Sequence, residues 1–305
     1  MAKTLIIVLG PTGIGKTSLS IKIASFFNTE IISADSRQIY KELHIGTAIP
    51  NSQELHTVKH GFIQTHSIHN YYNASIYEQE ALQLIKNRFR EKDTLVMAGG
   101  SMLYIDVVCD GIDDLPEIDF TIRKDLEARL ANEGIESLRL ELQKIDPIYY
   151  NSVDLKNYKR ILHALEIYYI TGKPYSSFRS NTKKQRDFNI IKVGLNTDRS
   201  VLHNRINQRV DQMVRDGLVD EARSVYPYKH LNSLNTVGYK ELFSYFDGEI
   251  SLEKAIELIK RNTRRYARRQ LTWFNKDKSI KWFDINETEK VIPYIHEQLN
   301  TQYNI

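Results

Sequence analysis

Gly10-Pro-Thr-Gly-Ile-Gly-Lys16-Thr17 decides how the rest of this chain is read. It fits Gly-x4-Gly-Lys-Ser/Thr in full and follows an apolar run, Thr4-Leu-Ile-Ile-Val-Leu9, which is the strand–loop–helix setting of a phosphate loop. Glycine has no Cβ and accepts dihedrals that turn successive backbone N–H groups toward one anion. Gly10, Pro11, Thr12, Gly13, Ile14, Gly15, Lys16 and Thr17 are therefore expected to bind a di- or triphosphate. A helix over Lys16 to Phe27 aims its positive end at the same anion. Lys16 adds a point charge, and the Thr17 hydroxyl is placed to reach Mg²⁺.

Outward from the loop, short apolar runs at Leu5–Leu9, Glu30–Ser33, Leu95–Ala98, Ile190–Leu195 and Ile280–Phe283 read as strands, with helical spacing between them. Strands alternating with helices predict an α/β fold, a P-loop NTPase-like parallel sheet flanked by helices. Ligands of such sheets sit at the carboxyl ends of strands. Three polar clusters fall there: the phosphate loop, Asp35-Ser36 and Gly99-Gly100-Ser101. The third and fourth runs are separated by about 90 mostly helical residues, where a crossover needs about a dozen. A helical insertion domain over 117–186 is expected, leaving 1–116 plus 187–305 as the core. Its helices read as Asp119–Gly134, Glu136–Ile145 and Tyr158–Thr171.

The 305 residues are 41% hydrophobic, enough for a full core, and no apolar run approaches the ~20 residues that span a bilayer. The N-terminal run is too short for a secretory signal, and the lone Cys109 cannot form an internal disulfide, so a cytoplasmic protein with no membrane contact is expected. The net charge of +4 is too small to declare a nucleic-acid partner, but its distribution is lopsided. Glu253 to Phe274 reads as one helix in which Lys260, Arg261, Arg264, Arg265, Arg268 and Arg269 recur in pairs every four residues. They cover about half the helix circumference, with Ile256, Ile259, Tyr266 and Ala267 opposite. Like charges at i,i+4 cost about 0.2–0.5 kcal/mol per pair, and only Glu257 offsets this locally. The missing counter-charges are either carboxylates elsewhere in the fold or the phosphates of a polyanion.

A phosphate-loop NTPase usually ends a second strand in an acid that holds magnesium. The best candidate here, Thr94–Ala98, ends in Gly99-Gly100-Ser101 instead, and the acid is Asp35, at the tip of a strand expected beside the loop. From that tip a carboxylate can serve as a general base toward a bound diphosphate ester or cap the following helix, and position alone permits both. Ser101 is placed to donate a hydrogen bond to a leaving oxygen. His56-x3-His60 and His66-x2-His69 lack the further ligands of a zinc site.

These residues, in this order, resemble the tRNA dimethylallyltransferase (tRNA isopentenyltransferase) family over nearly the whole chain. The likeness runs through the phosphate loop, Asp35-Ser-Arg-Gln-Ile-Tyr40, Ile45-Gly-Thr-Ala48, Gly99-Gly-Ser-Met-Leu-Tyr104 and Lys159-Arg-Ile-Leu-His-Ala-Leu-Glu166. It continues with Arg205-x3-Arg209-Val-Asp-x-Met213, Gly217-Leu-Val-x-Glu221, Val237-Gly-Tyr-Lys-Glu241 and Arg264-Arg-Tyr-Ala-Arg-Arg-Gln-Leu-Thr-Trp-Phe274. The resemblance implies transfer of a dimethylallyl group from dimethylallyl diphosphate to N6 of the adenine 3′ of the anticodon, with Mg²⁺ as cofactor. The phosphate loop would then hold a leaving diphosphate, which explains the missing second acid. By the same likeness Asp35 is the base, Ser101 stands for the family's usual Thr near the leaving oxygen, and Arg209 neutralises charge on the diphosphate.

Contacts to the tRNA anticodon stem-loop carry over to Asp35, Ser36, Arg37, Gln38, Ser101, Arg123, Lys159, Arg160, Ile161, Leu162 and His163. They also carry over to Asn235, Thr236, Val237, Gly238, Tyr239 and Lys240, and to Thr263, Arg264, Arg265, Tyr266, Ala267, Arg268, Arg269 and Gln270. The last span is the arginine stripe already read from charge, and the insertion domain would clasp the RNA from the other side. Departures from the family pattern are Ile49 where a Lys is usual, Ser101 for Thr, and His60-Gly-Phe62 for His-His-Leu. A monomer is expected. The chief alternative is a P-loop small-molecule kinase using Asp35 on a hydroxyl. A nucleotide-gated RNA-binding protein would leave Asp35 and Ser101 idle.

Overall fold

The apolar run before the phosphate loop becomes the middle of a parallel sheet. The structure, a computed structural model, describes residues 3–116, 119–180 and 182–301, so the expected boundary at position 117 lies outside it. Among the described residues six strands form one sheet: β1 (Thr4–Leu9), β2 (Ile31–Ala34), β3 (His60–Gly61), β4 (Thr94–Gly99), β5 (Asn189–Asn196) and β6 (Lys281–Asp284). Their order is β3-β2-β4-β1-β5-β6, with every pair parallel. β1 is fully buried, as a strand covered on both faces must be. The five expected strands are all present within one or two residues of their bounds, and β3 is too short for its pattern to show in the sequence.

The neighbour order corrects one expectation. The strand beside the phosphate loop is β4, and β2, which carries Asp35, lies one strand further out. An apolar run encodes burial but not which neighbour buries it. Asp35 still belongs to the same edge, because β4 ends without side chains. A Cβ on Gly99 would lie 2.1 Å from the Ala34 carbonyl oxygen, so β2 packs against bare backbone there.

Helices α1 (Lys16–Phe26), α2 (Ser52–Thr57), α3 (Ala74–Arg88) and α4 (Met102–Asp110) follow the first four strands. Then come α5 (Phe120–Glu133), α6 (Ile135–Ile145), α7 (Pro147–Tyr150) and α8 (Tyr158–Thr171), all helical as expected. They form a compact unit over Gly111–Lys184, around a core of Leu126, Leu138, Leu142, Ile161, Ala164 and Leu165. The unit ends before the expected position 186 because Arg186 belongs to the sheet-bearing unit. Its Nη2 donates to Glu78 at 2.7 Å and to the Val107 carbonyl at 2.6 Å, and its Nε to the Val108 carbonyl at 2.9 Å. Within the same unit, burial pushes the Cys109 thiol up to about 12, which makes it a packing residue.

The chain returns through α9 (Arg199–Arg215), α10 (Leu218–Val225), α11 (Tyr239–Phe246), α12 (Leu252–Phe274) and α13 (Val291–Thr301). α12 is the single long helix expected from the basic stripe. Glu221 of α10 anchors the loop after Tyr40. Its carboxylate accepts N–H from His44, Ile45 and Gly46 at 2.7–2.9 Å, and the Tyr239 hydroxyl at 2.6 Å. Glu241 in turn accepts the Gly238 N–H and the Asn262 amide. Within their motifs these two acids are therefore scaffolding for the loop and for the turn before α11. Glu221→Ala strips one acceptor from four donors and is expected to cost about 2–4 kcal/mol. Urea unfolding checks the loss, and amide exchange should localise it to His44–Gly46; unchanged exchange there would assign the anchor elsewhere.

Candidate active site

Two clefts open at the carboxyl edge of the sheet, and they share Thr12, Gly13, Asp35, Arg209 and Tyr266. The first, about 680 Å³, is walled by the phosphate loop, by Thr17, and by Arg205, Arg209 and Arg215 of α9. The same cleft is also lined by the apolar Ile31, Ala48, Pro50, Ile63 and Ala98, beside the polar Ser33, Gln38 and His60. The second, about 840 Å³, is lined by Ser36, Arg37, Asn235, Thr236, Val237, Gly238 and Lys240, and by Thr263, Arg265, Arg268 and Arg269 of α12.

The loop takes the conformation its glycines predict. Gly15 precedes α1 at φ 107°, which L side chains rarely adopt. Lys16 Nζ donates to the carbonyls of Gly10 and Pro11 at 3.0 and 2.9 Å. Burial, then the charge of Arg209, push Lys16 down to about 7, with Asp35 pulling the other way. Burial also lowers Arg209, again opposed by Asp35. These three side chains thus feel one another, and two cations share one carboxylate. The arrangement is short of negative charge, as an anion site should be.

Asp35 caps the backbone that follows it, though not in the form expected. Its Oδ1 accepts N–H from Arg37 at 2.9 Å and from Gln38 at 3.3 Å, capping a turn rather than a helix. Oδ2 makes no hydrogen bond among the described residues, and the residue lines both clefts. Tyr266 closes the junction; burial, then the Asp35 charge, push its phenol up to about 12, against a side-chain hydrogen bond with Ser101 that lowers it. Ser101 itself is held back from both clefts. Its Oγ accepts the Ser36 N–H at 2.8 Å and donates to Ser36 Oγ at 3.2 Å. Ser101 is thus engaged by Ser36 and is not among the residues lining either cleft.

Other expected contact residues divide by burial. Ile161, Tyr239 and Ala267 are buried and Leu162 packs on the helical unit's core, so these side chains offer little to a surface ligand, while Gln270, also buried, lines the first cleft. Arg123 is 2.6 Å from the buried Glu166, which also faces His163 at 3.5 Å. Both are occupied within the helical unit, whereas Lys159 and Arg160 are exposed. Gln38 donates to the carbonyls of Thr47 and Ala48, holding the loop that Glu221 anchors. On the stripe, Lys260 pairs with Asp211 at 2.5 Å and Arg264 donates to Asn207 at 2.5 Å. Arg261, Arg265, Arg268 and Arg269 are exposed and make no salt bridge among the described residues. Carboxylates elsewhere in the fold therefore answer only part of the stripe.

Sequence reading missed Arg205 and Arg215 as cleft residues. Arg205 Nε donates to the Gly13 carbonyl at 2.9 Å, and the i,i+4 spacing of Arg205 and Arg209 was the available signal.

The chain belongs to the IPP transferase family. The family model matches residues 38–277. The chain is 53% identical over 296 residues to tRNA dimethylallyltransferase 2 of Parabacteroides distasonis, covering 97% of this chain and 99% of that one. It is 51% identical to tRNA dimethylallyltransferase 1 of Bacteroides fragilis, covering 98% and 99%. Its fold matches the full-length tRNA isopentenylpyrophosphate transferase of Bacillus halodurans with TM-score 0.72 at 34% identity, covering 99% and 98%. A eukaryotic dimethylallyltransferase captured acting on tRNA matches with TM-score 0.78 at 27% identity, covering 93% of this chain and 74% of that one.

The depressed Lys16 has a measurable consequence. Above about 7 the ammonium is largely neutral in the free protein, and a bound anion favours its charged form. Diphosphate binding at pH 8 should therefore take up a proton, up to about one per site, and at pH 6 Lys16 should take up none. Calorimetry in buffers of different ionisation enthalpy reads this. Lys16→Arg, charged throughout, should abolish the pH 8 uptake; uptake that survives would belong to another group.

Proposed function

We propose that this chain transfers a dimethylallyl group from dimethylallyl diphosphate to N6 of the adenine 3′ of the anticodon in tRNA, releasing diphosphate. Family membership makes it a prenyltransferase and supports this reading over a small-molecule kinase. The observation that carries the mechanism is the meeting of two clefts at Asp35. The cleft with the phosphate loop suits a diphosphate with a short apolar tail against Ile31, Ile63 and Pro50. The cleft rimmed by unpaired arginines suits a nucleic-acid backbone. An adenine can reach the junction only if it leaves its stack.

When the allylic C–O bond cleaves, negative charge grows on the bridging oxygen and positive charge on carbon. Lys16, Arg209 and the loop N–H groups stabilise the first. Asp35 Oδ2 accepts the N6 proton as the new C–N bond forms, and its charge tempers the allylic cation. Tyr266, held by Ser101, donates from the wall where the clefts meet. The residues also fit a magnesium ion. The Thr17 hydroxyl makes no hydrogen bond among the described residues, and with Asp35 it lines the same cleft. Mg²⁺ typically takes only one or two protein oxygens and fills its shell with phosphate oxygens and water. When bound it would supply further charge neutralisation at the diphosphate. The exposed Lys159 and Arg160 of the helical unit would add RNA contacts, and the protein would act as a cytoplasmic monomer.

Asp35→Asn should lower the transfer rate by about 10²–10⁴ while tRNA affinity stays near wild type. Labelled dimethylallyl diphosphate and a filter-binding assay check the two halves, and near-normal turnover would remove Asp35 as the base. Replacing Arg265, Arg268 and Arg269 by Ala should flatten the log–log salt dependence of tRNA binding by about 0.7–0.9 per lost phosphate contact. An unchanged slope would place the RNA on another surface.

A further inference from the structure

One turn of α12 carries two sets of groups pointing in opposite directions. Outward, Arg265, Arg268 and Arg269 line the second cleft. Inward, Gln270 is only 1% exposed and sits between the phosphate loop and the end of β4. Its Oε1 accepts the Thr12 N–H at 2.9 Å, and its Nε2 donates to the Gly100 carbonyl at 2.7 Å. Both partners are backbone of the edge that would grip the diphosphate. The fit is close: a Cβ on Gly100 would lie 2.3 Å from Gln270 Nε2 and 3.5 Å from Lys16 Nζ. Only glutamine offers a donor and an acceptor at this reach. Glutamate loses the donor when ionised, asparagine is one methylene short, and methionine has neither.

We propose that Gln270 is a positioning residue that couples RNA docking on α12 to the shape of the phosphate loop, so that bound RNA tightens the diphosphate site. The inference rests on the reading of the arginine face as the RNA surface. Arg269 and Gln270 are consecutive on a continuous helix, so phosphates that fix Arg268 and Arg269 also fix the Gln270 backbone. A close-packed buried amide has little freedom to absorb a shift of its helix, and passes it to Thr12. By linkage, diphosphate in the loop tightens RNA by the same factor.

The test uses the full chain, an anticodon stem-loop RNA, and inorganic diphosphate with Mg²⁺. RNA should slow amide exchange at Thr12 and tighten diphosphate binding about fivefold or more, within the usual range of coupling between sites. Gln270→Met should keep RNA affinity within about twofold, lose that coupling, and raise KM for dimethylallyl diphosphate about tenfold with a smaller change in kcat. A residue that merely fills space would move stability and leave the coupling intact. If RNA binds the wild type but changes neither Thr12 exchange nor diphosphate affinity, or if the Met variant keeps the coupling, the proposal is overturned. If the Met variant does not fold, the wild-type exchange and affinity measurements decide alone. If RNA does not bind the wild type at all, the reading of the arginine face has failed, and this inference with it.

Discussion

Between the ends of β1 and β2, β4 finishes in bare backbone. A side chain on Gly99 would strike the Ala34 carbonyl, and one on Gly100 would strike the Gln270 amide. Because β4 stops in these two glycines, β2 closes against it and brings Asp35 to the phosphate loop from one strand further away. The same gap admits Gln270 from α12, whose amide bridges the loop to β4. The acid that a nucleotide hydrolase keeps at the end of the neighbouring strand has no space here. The proposed site, with a leaving diphosphate in the loop and its base at the end of β2, fits that constraint.

The charges around the loop follow from what is buried there. Lys16 and Arg209 are both depressed by desolvation, and among the described residues both are opposed by the charge of Asp35. Lys16 satisfies its donors on loop carbonyls, interactions it can exchange for phosphate oxygens. On the outer side, the stripe cations of α12 divide into those the fold engages, Lys260 on the Asp211 carboxylate and Arg264 on the neutral Asn207 amide, and those it leaves to solvent, Arg261, Arg265, Arg268 and Arg269. Four exposed arginines on one helix repel one another in the free protein. A polyanion relieves that repulsion.

Much of this was legible in the sequence for a definite reason. A phosphate loop is a local object: strand, glycines, lysine and helix are consecutive, so Gly10–Thr17 specifies its own geometry and the places of Lys16 and Thr17 in it. Helix faces are also local, since 100° per residue puts the arginines of α12 on one side whatever they pack against. Strand positions and the helical insertion follow from runs and spacing within a few tens of residues. What the sequence could not hold is neighbour choice. That β4 rather than β2 flanks β1 depends on two strands meeting across about 90 residues, and an apolar run satisfies either neighbour equally.

The tertiary structure decided which polar residues face a cleft and which hold the fold. Ser101, Arg123, Tyr239 and Gln270 all stand in motifs that resemblance assigns to RNA or catalysis. Each is occupied by a partner distant in sequence: Ser36, Glu166, Glu221, and the pair Thr12 and Gly100. A motif records that a residue type is needed but not whether its partner is substrate or protein, because both are satisfied by the same hydrogen bond. Only the fold, by placing Glu221 under one loop and Gln270 under another, separates the two.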